Sequence, residues 1–126
     1  IGSVLGSIPY PWFAAYSSSK AGLAALSQAM RRELSGSGVI VTHISPRAAR
    51  TPFNTAEVNR FLDITGMKAD EPAWVAGMIA DAIIGRRHTV SIGAMERVYA
   101  AINAIAPKII DSGLAGQVRK ARAELC

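Results

Sequence analysis

At 126 residues, 50% of them hydrophobic and 18% charged, the chain has the composition of one globular domain with a well-buried core, which excludes a disordered or low-complexity segment. The formal charge of +5 comes mainly from arginines scattered along the sequence, with one cluster at Arg119, Lys120 and Arg122; no basic stripe interleaved with aromatics accompanies them, so no nucleic-acid partner is expected. The lone cysteine, Cys126, leaves no intrachain disulfide or Cys-rich metal site, His43 and His88 lack ligand spacing, and no run reaches the ~18 apolar residues of a membrane span.

In chain order, residues 1 to 4 read as the end of a buried strand. Ser3 lies near its carboxyl end, the place where open α/β sheets hold their ligands. Gly6 to Trp12 form a loop in which Pro9 and Pro11 prevent an early helix and Tyr10, Trp12 and Phe13 supply aromatic surface. Residues 12 to 34 predict a helix with an apolar stripe of Leu23, Leu26, Met30 and Leu34, expected to pack on the sheet. A neighbouring face of small residues, Ala21, Gly22, Ala25 and Ala29, permits close helix approach. Within this helix Tyr16 and Lys20 form an i, i+4 pair on one face. An ammonium beside a phenol favours the phenolate, which suits a tyrosine that exchanges protons with a substrate oxygen. A serine hydroxyl can donate and accept, and would hold the same oxygen if the fold brings Ser3 alongside.

Gly36-Ser37-Gly38 reads as a helix cap and turn, because it precedes a strand. Val39 to Ile44 form that strand, buried on both faces, with His43 packed inside it. A strand after a long helix implies a right-handed crossover into a parallel sheet. Ser45-Pro46 ends it. Residues 52 to 69 read as a short helix plus a mobile flap. Asp70-Glu71-Pro72 starts a helix with Trp74, Val75, Met78, Ile79, Ala82 and Ile83 on its apolar face, closed by Gly85-Arg86-Arg87. Thr89 to Ile92 form the last strand. Residues 95 to 106 suit a helix ending before Pro107, and residues 113 to 125 a second, with Leu114, Val118, Ala121 and Leu125 on one side.

Ile-Gly-Ser-Val-Leu-Gly (1–6), Tyr-Ser-Ser-Ser-Lys-Ala-Gly-Leu (16–23), Arg-Glu-Leu (32–34) and Val-Ile-Val-Thr-His-Ile-Ser-Pro (39–46) occur in this order. Order and spacing resemble the short-chain dehydrogenase/reductase family, over roughly residues 1 to 92. The resemblance implies the carboxyl-terminal part of a Rossmann-type doubly wound parallel α/β sheet whose first half is missing, with residues 1–93 as the catalytic half and 94–126 as a helical extension of the same domain. It implies catalytic roles for Ser3, which positions a carbonyl or alcohol, Tyr16, which transfers the proton, and Lys20, which lowers the tyrosine pKa and holds the nicotinamide ribose. Pro46 and Thr51 would join Tyr16 and Lys20 around NAD or NADP, Thr51 at the nicotinamide carboxamide. Arg47 departs from the pattern, standing where the family usually has glycine.

The family's glycine-rich pyrophosphate turn and its active-site asparagine are not in this sequence, so the chain reads as a fragment, inactive by itself. The expected partners of the intact protein are a small-molecule carbonyl or alcohol and further copies of itself, as a homodimer or homotetramer, with the cytoplasm as default location. Two other readings stay open: a truncated, non-catalytic remnant or interaction module of the same fold, and contact of the basic segment 113–126 with a membrane surface.

Overall fold

The structure, a computed structural model, describes residues 1–125, with side chains through Glu124; Cys126 and the side chain of Leu125, both invoked above, lie outside the described residues. A short 3-10 helix (Val4–Gly6) precedes α1 (Ala14–Glu33), β1 (His43–Ser45), α2 (Ala56–Thr65), α3 (Pro72–Ile84), β2 (Thr89–Ser91), α4 (Ala94–Ile105) and α5 (Pro107–Leu125).

β1 and β2 pair in parallel, with His43 opposite Thr89 and Ser45 opposite Ser91. The expected first strand is present only as a half-ladder. The Gly2 amide donates to the Ile44 carbonyl at 2.7 Å and the Val4 amide to the Pro46 carbonyl at 3.0 Å. Pro46 has no N–H to return the second bond, and the chain turns at once into the 3-10 helix. Residues 1–4 therefore lie alongside β1 without closing a regular strand. The second strand is also shorter than expected: of residues 39–44 only His43 and Ile44 belong to it, and it runs on to Ser45.

One face of the sheet carries the main core, where Ile44 and Ile92, each 1% exposed, meet Val75 and Ala82 of α3. Two expected features of α1 and α3 fall differently. Leu26 (55% exposed) and Met30 (40%) point away from the sheet, as do Trp74 and Ile83 on α3. On α1 the face turned toward the strands is instead Ser27 and Arg31, which bond to His43 and Thr89. The apolar periodicity of α1 thus marks a face that this chain leaves uncovered.

A second cluster joins the aromatic loop to α2 and α5. Tyr10 and Phe61 are buried together with Ala121, and Phe13 and Leu114 pack around them. Tyr10 meets Phe61 edge-on at 5.3 Å between centroids, and its hydroxyl donates to Gln117 Oε1 at 2.5 Å. The aromatic loop residues Tyr10 and Phe13 are therefore core, not surface. Trp12 remains half exposed with φ of 67°, in a left-handed conformation that is uncommon for a bulky side chain. The last helix begins at Pro107 and not near residue 113, because proline fits the first turn of a new helix as readily as it ends an old one. Leu114 and Ala121, on the side proposed for a membrane surface, are used internally. No helix among the described residues is long and apolar enough to cross a membrane.

Candidate active site

Ser3 stands at the point where the half-ladder becomes the 3-10 helix. Its backbone is extended (φ −160°, ψ 152°) and its hydroxyl accepts the Leu5 amide at 3.2 Å as the N-cap. That bond uses a lone pair of the oxygen, so the hydroxyl hydrogen stays free to be donated. Ser3 is buried, at 8% exposure.

The 3-10 helix packs directly on α1. A methyl group at Gly6 would lie 2.9 Å from the backbone carbon of Lys20 and 3.0 Å from its carbonyl oxygen, so only glycine allows this approach. The contact sets the Ser3 segment against the turn of α1 that carries Tyr16 and Lys20. Those two residues share one helical face, with Lys20 Nζ 5.5 Å from the centre of the Tyr16 ring. Tyr16 is 39% exposed, so its phenol opens to solvent. The Ser19 hydroxyl donates back to the Tyr16 carbonyl at 2.7 Å, and the Ser17 hydroxyl is buried without a hydrogen-bond partner.

Pro46 and Thr51 bracket a loop that follows β1. The Pro46 carbonyl is engaged by Val4, and the Thr51 carbonyl accepts the Asn54 amide at 3.1 Å. Between them Arg47, unexplained by the sequence pattern, has a clear place. It donates two parallel bonds to Asp70, Nε to Oδ2 at 2.9 Å and Nη2 to Oδ1 at 2.6 Å, and a third to Glu96 Oε1 at 3.3 Å. Its hydrogen bond to Asp70 is the largest influence holding the guanidinium pKa above its ordinary value. Asp70 adds two backbone bonds, accepting the Arg50 amide and donating to the Ala48 carbonyl. Gly93, at φ 109°, leaves room for the Glu96 carboxylate, which a side chain there would strike. The loop is thus tied to the starts of both α3 and α4. Spacing could not show this, because the partners lie far apart in sequence and only the fold unites them.

His43 is a packed residue, as expected. Its ring lies over Gly2, where a methyl group would come within 2.6 Å of Cε1, and its two nitrogens meet Ser27 Oγ at 3.3 Å and Ser45 Oγ at 3.2 Å. Burial, and secondarily the Ile1 amino group, lower its pKa. No group of three or more potential metal ligands occurs among the described residues.

The fold defines an α/β unit with a parallel sheet, and residues 1–60 match the family model described as short chain dehydrogenase. That stretch contains Ser3, Tyr16, Lys20, Pro46 and Thr51, and over it the chain is similar to the short-chain dehydrogenases. No curated protein and no solved structure matches it.

Proposed function

We propose that this chain supplies the catalytic half of a nicotinamide-dependent oxidoreductase that interconverts a carbonyl compound and a secondary alcohol. Residues 1–93 would form that half of a Rossmann-type domain and residues 94–126 its helical extension. The observation that carries the reading is the Tyr16–Lys20 pair on one face of α1, docked through the Gly6 contact onto the segment that bears Ser3, all within the matched stretch.

The residues at hand suit the nicotinamide end of NAD or NADP. Among the described residues neither the Lys20 ammonium nor the Thr51 hydroxyl makes a hydrogen bond or salt bridge, so both remain available as donors to a ribose and a carboxamide. Bound there, the cofactor would supply or accept the hydride. Ser3 would donate its free hydroxyl hydrogen to the substrate oxygen and fix its position. Tyr16 would give that oxygen a proton in reduction and take it back in oxidation. Lys20 would place a positive charge on the side where the phenolate develops. Pro46 would shape the loop wall, and the Arg47 clamp would hold Thr51 at a constant height above the sheet.

The uncovered face of α1, with Ala25, Leu26, Ala29 and Met30 exposed, would be covered in the intact protein by the absent half of the domain or by a further copy in a homodimer or homotetramer. The chain by itself would be inactive, since no glycine-rich turn is present to receive the cofactor pyrophosphate.

The test is Tyr16→Phe in the intact parent enzyme, which keeps the ring and removes the transferable proton. Turnover should fall by about 10²–10⁴-fold, the usual contribution of general acid–base catalysis, while the melting temperature stays put. Near-normal turnover would show the proton-relay assignment to be wrong.

A further inference from the structure

The two faces of the β1–β2 pair are unlike. The face on α3 is apolar, built from Ile44, Val90 and Ile92. The opposite face presents His43 and Ser45 beside Thr89 and Ser91, which the register places in two adjacent pairs. Parallel strands are normally covered by helices and apolar on both sides. Four polar positions on one face, under α1 and α4, break that rule, and such conflicts between local pattern and fold concentrate at functional sites.

Above this polar floor runs an open groove of about 470 Å³. Its walls include Ala24, Ala25 and Ala100, whose methyl groups are too short to fill it. Arg31 from α1 and Arg97 from α4 also line it, and no carboxylate does. Among the described residues neither arginine forms a salt bridge. Arg31 makes one long contact, Nη1 to Thr89 Oγ1 at 3.5 Å, which aims its guanidinium along the floor. The floor also has hydroxyl protons to offer. A neutral imidazole at His43 donates from one nitrogen and accepts at the other. Ser27 gives its hydrogen to the Leu23 carbonyl at 2.8 Å and so receives the ring Nδ1–H, which leaves Ser45 to donate to Nε2. Thr89, whose hydroxyl oxygen accepts from Arg31, and Ser91, whose side chain makes no hydrogen bond among the described residues, keep their hydrogens for a ligand.

We propose that this groove binds the phosphate group of a small ligand, with the Arg31 and Arg97 guanidinia on its sides and the hydroxyls of the β1–β2 face below. Guanidinium forks and hydroxyl donors converging from several directions suit a tetrahedral dianion with three free oxygens better than a flat carboxylate. The site lies on the sheet face and includes neither Tyr16 nor Lys20, so it stands or falls separately from the oxidoreductase reading.

The experiment follows the His43 ring resonances by NMR while the protein is titrated with inorganic phosphate, ionic strength being held constant with chloride. A saturating shift is expected, absent with chloride alone. The double variant Arg31→Gln/Arg97→Gln should raise the dissociation constant at least tenfold, whereas Arg122→Gln on α5 should leave it unchanged. Glycerol 3-phosphate forms the second arm: tighter binding than inorganic phosphate identifies a phosphorylated metabolite as the ligand, and equal binding identifies the free anion. If the double variant does not fold, Thr89→Val at its exposed position replaces it, with at least threefold weaker binding expected. A shift that never saturates, an equal shift with chloride, or undiminished affinity in the folded variants overturns the proposal.

Discussion

Arg47 and Asp70 meet through a two-pronged charge pair at 2.9 and 2.6 Å, and the backbone of Asp70 simultaneously bonds the residues on either side of Ala49. Side chain and main chain of one aspartate thus fix the same loop, the one that ends at Thr51. Replacing Arg47 by Ala would leave two carboxylates, Asp70 and Glu96, largely shielded from water with no cation between them. Breaking a buried pair from one side costs about 3–5 kcal/mol. Arg47 keeps 24% of its side-chain surface exposed, so solvent screening lowers the expected loss to about 2 kcal/mol. Denaturant unfolding of Arg47→Ala should show it, and Arg47→Lys, which keeps the charge without the fork, should recover only part. A loss below about 0.5 kcal/mol, the range of ordinary surface substitutions, would mean the pair does not form in solution.

Gly6→Ala tests the contact that sets Ser3 against α1. The added methyl would meet backbone, which cannot rotate aside as a side chain can. Overpacking of this kind costs about 1–3 kcal/mol. On the proposed oxidoreductase reading the variant should also lose turnover, because the 3-10 helix must shift relative to Tyr16 and Lys20. Unchanged stability and turnover together would show that the approach of the two segments is looser than described.

The segment 52–69 should prove mobile only in part. Phe61 is 4% exposed and meets the rings of Tyr10 and Phe13 at 5.3 and 5.2 Å, which pins α2 to the core. Phe53, by contrast, is 86% exposed. Hydrogen exchange should be fast at residues 52–55 and slower across 58–65, with ligand binding to the intact parent protecting mainly the former. Phe61→Ala, at a cost of about 3–5 kcal/mol, should release α2. Uniformly fast exchange over the whole segment would restore the expectation of an undivided flap.

The helices were legible wherever a local signal marked them. Residues 12–34 and 95–106 match α1 and α4 to within two residues at each end, and Glu71-Pro72 marks the start of α3. Pro46 ended the strand as expected. What could not be read was non-local. Nothing near Arg47 announces Asp70 or Glu96, and nothing near Tyr10 announces Gln117. The apolar stripe of Leu26 and Met30 was visible but its destination was not, because periodicity identifies a face without naming what covers it. The polar floor was legible in principle: His43 and Ser45, then Thr89 and Ser91, repeat with the period of a strand. Strand residues at that spacing share a face, but Ile44 and Val90 between them carry the stronger signal, that of burial.

The last prediction concerns His43, whose buried ring sits between two serine hydroxyls. Burial lowers its pKa in the folded protein from the ordinary 6.5. The unfolded chain therefore binds this proton more readily than the folded one, and stability must fall wherever the unfolded state is protonated and the folded state is not. The contribution is complete above about pH 7, starts to be lost as pH drops through the unfolded value, and is exhausted once the pH passes below the folded value. Charging the ring in place would also cost one serine its acceptor, since an imidazolium donates from both nitrogens. Denaturant midpoints measured from pH 7.5 to pH 5 should decline for the natural sequence. His43→Gln retains a polar side chain but cannot titrate, so its midpoint should be nearly flat across that range, whatever its absolute stability. Parallel pH curves for the two proteins would place the acid sensitivity outside His43.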